Sequence, residues 1–165
     1  MTIQEIYQLA LSAGFPPSTA VKMTAIALKE SGGNPNAHND LPPDNSYGLW
    51  QINMIGSLGP SRRAWLGLAV NEQLFDPATN ARAAFMLWNG SDANLDRHWG
   101  ITTGPYAGDY QRRLAEVTPV LSAGAVNAGV VAPAGPTAKW WERDEVLFGA
   151  LIIGGVSFLG LLFGD

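Results

Sequence analysis

Cysteine is absent from this chain, which removes disulfides, thiolate metal sites and cysteine nucleophiles together. Histidine is scarce: His38 and His98 stand in unrelated contexts, so no metal centre is expected, and no cofactor. An excess of positive charge is missing too. Ten Lys and Arg face fourteen Asp and Glu, a formal charge of −4, which leaves no basic patch through which nucleic acid would be held. The opening MTIQEIYQLALSAGF lacks a basic start, and Gln4, Glu5 and Gln8 interrupt its apolar residues, so it is not read as a secretion signal. Charge disappears entirely from two later stretches, residues 117–138 and 146–164.

What is present divides the 165 residues into three zones. Residues 1–116 read as one compact, mainly α domain, long enough to bury a core. Its first helix carries Ile3, Ile6, Tyr7 and Ala10 on one side and stops at Gly14. A second follows Pro16-Pro17, with Ser18 as N-cap, Val21, Thr24, Ala25 and Leu28 on one face, and Gly32-Gly33 as its end. A loop rich in Pro, Asn and Asp covers residues 36–46, and a short extended piece is expected between Tyr47 and Met54. The stretch FDPATNARAAFMLWNG is a well-punctuated helix: Asp76 caps it, Pro77 opens it, Ala81, Ala84, Phe85 and Trp88 form its stripe, and Asn89-Gly90 closes it. A short helix is expected over residues 92–99 and another from near Tyr106.

Residues 117–138, rich in Ala, Gly, Val and Pro without helical or strand period, read as a linker. The competing reading is a segment ordered only against neighbouring subunits. Residues 139–165 read as a C-terminal hydrophobic helix. Its uncharged run, residues 146–164, spans roughly 28 Å as a helix, close to the ~30 Å of a bilayer core. Trp140 and Trp141 precede it as an interfacial pair, with Lys139 and Arg143 beside them. Gly160 with Gly164, and Ala150 with Gly154, are spaced for close helix contact, so a homo-oligomer is one expectation. A membrane anchor at the C-terminus is favoured over a helix buried in an assembly.

Within the first zone one residue is out of place. Glu30 falls in the last turn of an apolar helix, where a carboxylate meets the negative end of the helix dipole. Local stability favours Lys or Arg there. Gly32 and Gly33 leave space beside it, and the polar loop that follows can wall a cleft. Further on, NSYGLWQIN places the amides of Gln51 and Asn53 in an apolar run, suited to sugar hydroxyls and N-acetyl groups. Tyr47, Trp50 and Trp99 supply flat apolar faces for pyranose rings, although each such aromatic more often belongs to a core.

ESGGNPNA, SYGLWQIN and LFDPATNARAAF, in that order, resemble the lysozyme-like lytic transglycosylase domain related to goose-type lysozymes, most of all the versions carried in bacteriophage virions. The matching elements are Glu30-Ser31, Asn34-Pro35, Gly48-Leu49-Trp50-Gln51, and Asp76-Pro77 with Asn80, and the resemblance covers about residues 5–113. It implies a lysozyme-like helical fold and cleavage of the peptidoglycan glycan strand between N-acetylmuramic acid and N-acetylglucosamine. Glu30 would be the general acid and then the base, with Ser31, Tyr47, Gln51, Asn53, Trp99 and Tyr106 as substrate contacts. Such an acid must be protonated near neutral pH, and a helix C-terminus disfavours the anion.

Two departures qualify the resemblance. WGITTGPY stands where the family often carries Tyr-Asn-Ala-Gly, so Ile101 takes the place of that tyrosine and Tyr106 is the candidate replacement. Asp44 lies near one acidic position of goose-type hydrolases and is a possible second carboxylate for an inverting hydrolase; its plainer reading is a turn aspartate after Pro42-Pro43. The expected setting is a phage virion that reaches the host envelope during genome ejection, with other virion proteins as partners and a membrane held by the C-terminal helix. The rivals are a non-catalytic glycan-binding virion component and a lysis protein acting through its apolar tail.

Overall fold

The computed structural model describes residues 1–103 and 105–127. The expected membrane helix over 146–164 and the linker beyond residue 127 lie outside the described residues. Among the described residues, no helix is long and apolar enough to cross a membrane.

The architecture is mainly helical. Helix α1 (Ile3–Ala13) begins at a reciprocal cap: Thr2 Oγ1 accepts from Glu5 N–H, and Thr2 N–H donates to the Glu5 carboxylate. Gly14, in the left-handed region, ends it, as expected from the sequence. Its buried face is Ile6, Ala10 and Ala13, with Ile3 and Tyr7 only half-buried.

Helix α2 (Pro17–Ser31) starts two residues earlier than its sequence suggests. Pro17 takes the first helical position, where its fixed φ is suitable and its missing N–H costs nothing. Ser18, expected to cap, is exposed and makes no capping bond. Ala20, Met23, Thr24, Ala25, Ile26 and Ala27 are all buried because α2 lies between α1 and the last described helix, and so needs apolar residues on more than one face.

The polar loop then yields a small antiparallel sheet, β1 (His38–Asn39), β2 (Ser46–Tyr47) and β3 (Ile52–Asn53). His38 pairs with Tyr47, and Tyr47 with Ile52. The extended piece expected between Tyr47 and Met54 is thus two strands joined by a tight turn. Helix α3 (Leu58–Leu66) and a 3-10 turn (Asn71–Phe75) follow; neither stands out in the sequence, since Gly59-Pro60 reads as a turn signal.

Helix α4 (Pro77–Asn89) matches its expected punctuation: Asp76 accepts from Thr79 N–H and Pro77 opens the helix. Ala81, Ala84 and Phe85 are buried, and Phe15, Phe85 and Trp88 form an aromatic cluster with centroids 5.2–5.6 Å apart. Helix α5 is only Asp96–Trp99, shorter than expected.

Helix α6 (Ala107–Asn127) corrects the linker boundary. Residues 117–127, read as the start of a linker, are helical, with Pro119 inside the helix. Val117 is fully buried, and α6 packs on α2 and α1. Tertiary burial outweighs the poor local propensity of Val-Thr-Pro. The domain's helical framework therefore extends at least eleven residues past residue 116.

Candidate active site

Glu30 lies in the last turn of α2, as the sequence indicates. Gly32 follows at φ +63°, a left-handed cap whose N–H donates to Leu28 O. The Glu30 side chain is 22% exposed. Lys29 Nζ donates to Glu30 Oε1 at 2.8 Å and to the carbonyl oxygen of Trp99 at 2.7 Å, and the Lys29 side chain is only 10% exposed. Glu30 Oε2 has no hydrogen-bond partner among the described residues. One oxygen is held and the other is free for a ligand.

The Gly48-Leu49-Trp50-Gln51 turn is fixed from beneath by a single side chain. Asn80 of α4 is fully buried; its Oδ1 accepts from Trp50 N–H at 2.9 Å, and its Nδ2 donates to Tyr47 O at 2.9 Å and Leu74 O at 2.8 Å. Trp50 Nε1 donates to Met23 O in α2, and Trp99 Nε1 donates to Trp50 O. A continuous set of bonds therefore runs from Asn80 through Trp50 and Trp99 to Lys29 and Glu30, tying α4, the turn, α5 and α2 together.

Gly48 is required by this packing. It sits at φ +76°, and a Cβ there would lie 2.3 Å from Asn80 Nδ2 and 2.4 Å from Leu74 O. Gly48→Ala is expected to cost at least about 2 kcal/mol through strain and displacement of Asn80. A denaturation midpoint unchanged from the natural chain would contradict that.

The other sequence candidates divide. Gln51, itself at φ +46°, lines a cavity beside the turn; its Nε2 braces the loop by donating to Ala37 O and Gly48 O, leaving Oε1 as the acceptor that faces no partner among the described residues. Asn53 lines the same cavity, with Oδ1 accepting from Ile55 N–H. Ser31 is spent locally: its hydroxyl donates to Ala27 O and accepts from Gly33 N–H. Tyr47 and Trp50 are core residues rather than ring platforms, Tyr47 being buried under His38 at a centroid distance of 4.2 Å. Trp99, 5% exposed, contributes to the cavity wall without offering an open face. Tyr106 is 63% exposed, and its hydroxyl has no partner among the described residues, whereas Ile101 is buried.

Both carboxylate oxygens of Asp44 are engaged locally. Its Oδ1 accepts from Ser46 Oγ at 2.6 Å and Asn45 N–H at 2.8 Å, and its Oδ2 from Asn39 Nδ2 at 2.7 Å. These bonds fasten the loop between β1 and β2. Among the described residues, no group of acidic and histidine side chains is arranged to hold a metal ion.

The profile of the lysozyme-like domain matches residues 7–99, more than half of the chain. The chain belongs to the lysozyme-like domain family. No curated protein and no solved structure is found to match it. For a lysozyme-like domain, membership points to the glycan strands of peptidoglycan as what is bound and cut, and the matched span contains Glu30, the Gly48–Gln51 turn, Asn80 and Trp99.

Three cationic or titratable groups near the site escape a sequence reading: Arg62 of α3, and Arg97 and His98 of α5. Together with Gln51, Asn53 and Trp99 they border a cavity of about 210 Å³. Burial pushes the His98 pKa below the ordinary imidazole value, reinforced by the charges of Arg62 and Arg97 and opposed by a hydrogen bond with the Leu87 backbone. The unfolded chain therefore takes up this proton more readily. Stability contributed by the neutral ring is complete above about pH 6.5 and declines as pH falls towards the lower folded value. Denaturation of the natural chain and of His98→Gln between about pH 8 and pH 5 is expected to show a shallower decline in the variant. Parallel curves would contradict the assignment.

Proposed function

We propose that this lysozyme-like domain is a lytic transglycosylase that cuts peptidoglycan between N-acetylmuramic acid and N-acetylglucosamine, with Glu30 acting alone as acid and then base. Protonated Glu30 donates its proton to the glycosidic oxygen, and the bond from that oxygen to muramyl C1 breaks. The C6 hydroxyl of the same muramyl unit attacks C1, and its proton returns to the Glu30 carboxylate. The product carries a 1,6-anhydro end; no water is consumed and no second carboxylate is needed.

The observation that carries this reading over hydrolysis is the contrast between two carboxylates. Among the described residues Glu30 keeps one oxygen unpartnered, whereas both oxygens of Asp44 are engaged in fastening a loop. An inverting hydrolase needs its second carboxylate available to a water molecule. Mass spectrometry of purified peptidoglycan digested with the full chain is expected to show anhydro-muropeptides. Ordinary reducing ends would favour the hydrolase and return Asp44 to consideration.

A second reading, a glycan-binding module that does not cut, is favoured by one feature. Ile101 is buried where the family often has a tyrosine, and Tyr106, the candidate replacement, is exposed. A folded natural chain that releases no products of either kind would support it.

The setting is also a proposal. The resemblance to phage virion domains supports a role in opening the cell wall during genome ejection, and the uncharged run over residues 146–164 is suited to a bilayer. The chain is expected in purified phage particles; finding it only in infected cells would overturn the virion placement.

A further inference from the structure

The cavity beside the Gly48–Gln51 turn has a chemistry that glycan cleavage alone does not call for. Arg62 is half-buried, and among the described residues no carboxylate pairs with it or with Arg97. Its guanidinium NH1 reaches only the carbonyl oxygen of Asn53. His98 Nε2 is buried and lacks a hydrogen-bond partner among the described residues, while the ring bonds with the Leu87 backbone. A half-buried cation without an acid, beside a second, exposed cation and a buried imidazole nitrogen, leaves positive charge uncompensated along the cavity wall. A neutral sugar hydroxyl does not relieve it. An anion does: two guanidinium groups can clasp a carboxylate, and Nε2, once protonated, adds a third donor.

Glu30 does not line this cavity, but a hydrogen-bond relay joins the two. Trp99 lines the cavity, and the Trp99 carbonyl holds Lys29, which holds Glu30. Gln51 and Asn53 border it from the turn side and offer amides to the sugar that carries the anion. Resting on the cleavage reading above, the geometry points to Arg62, Arg97 and His98 as a subsite for a carboxylate on the muramyl branch of the strand, either the lactyl group itself or a carboxylate of the attached stem peptide. The lysozyme-like domain would thereby select muramyl-bearing strands over polymers of N-acetylglucosamine alone.

The test uses the full chain and separates binding from turnover. Muramyl dipeptide is titrated while the ring signals of His98 are followed by NMR. Binding is expected to shift them and to raise the His98 pKa, since a bound anion favours the imidazolium against the opposing charges of Arg62 and Arg97. Arg97→Gln, at an exposed position, is expected to weaken this binding on the order of tenfold, as is loss of a charged hydrogen bond. A tetramer of N-acetylglucosamine is expected to leave the His98 pKa unmoved.

The two sources of the carboxylate are separated by strands stripped of peptide with an amidase, which exposes the lactyl carboxylate. An Arg97-dependent KM on stripped strands assigns the lactyl group; dependence only on peptide-bearing strands assigns the stem peptide. An unchanged His98 signal with both muramyl dipeptide, which carries a peptide carboxylate, and free N-acetylmuramic acid, which carries the lactyl carboxylate, or equal effects of Arg97→Gln on muramyl and purely N-acetylglucosamine ligands, would overturn the subsite. A chain that binds muramyl dipeptide here yet cuts no peptidoglycan would sink the cleavage reading and leave the subsite standing.

Discussion

Glu30→Gln is expected to lower the rate of peptidoglycan cleavage by roughly two to four orders of magnitude, the contribution of a positioned general acid. The variant isolates chemistry from structure. A glutamine Oε1 can still accept from Lys29 Nζ, so the link from α2 to the Trp99 carbonyl survives. What disappears is the proton, and with it the carboxylate that would take a proton back from the C6 hydroxyl. Stability should change by no more than about 0.5 kcal/mol, as at other partly exposed positions. Binding of muramyl dipeptide should persist. A variant with near-natural turnover and intact fold would remove Glu30 from the mechanism.

The second large effect is structural and lies far along the chain from Glu30. Asn80→Ala removes three hydrogen bonds to buried backbone groups, taking the acceptor from Trp50 N–H and a donor from each of Tyr47 O and Leu74 O. Each such loss at a buried group costs about 1–3 kcal/mol, so a loss of at least about 3 kcal/mol is expected. For a domain of this size that corresponds to a fall in Tm of roughly 10 °C or more. Asn80→Asp is the informative companion: it keeps an acceptor for Trp50 N–H but turns an oxygen towards two carbonyls. It should be nearly as damaging, although it removes almost no volume. Thermal unfolding of both variants checks this, and an aspartate variant as stable as the natural chain would show that packing, not hydrogen bonding, holds the turn.

These two residues illustrate what could be read before the structure. Glu30 was legible because it violates a local rule, an acid at the negative end of a helix, next to glycines. The helices α1 and α4 were legible because caps, stripes and stops agree with one another. Asn80 was visible only as part of a family pattern; that it carries the turn depends on contacts thirty residues away, which no local signal reports. The aromatic residues were the least legible. Tyr47 and Trp99 could face a sugar or, more often for such residues, a core; both are buried, and Trp99 still lines the cavity wall.

Elsewhere the tertiary fold overrode local preference. Helix α6 continues through Pro119 because its packing on α2 and α1 stabilises what the sequence alone disfavours, whereas α3 tolerates Pro60 because it lies in the first turn. The cation cavity was illegible for a different reason. Arg62 and Arg97 lie thirty-five positions apart and read as ordinary surface charges until α3 and α5 bring them to one wall. Lys29 beside Glu30 was readable as a pair of neighbours, but not as a bridge to Trp99 seventy residues on.

The account turns on Glu30 acting without water or a second carboxylate, and the fate of solvent oxygen tests that most directly. Peptidoglycan is digested with the full chain in water enriched in oxygen-18, and the new muramyl ends are weighed. Transglycosylation predicts anhydro ends with no heavy oxygen, and the same products in the same proportion from Asp44→Asn wherever that variant remains folded. Reducing ends carrying one oxygen-18 would contradict the account and make this lysozyme-like domain a hydrolase.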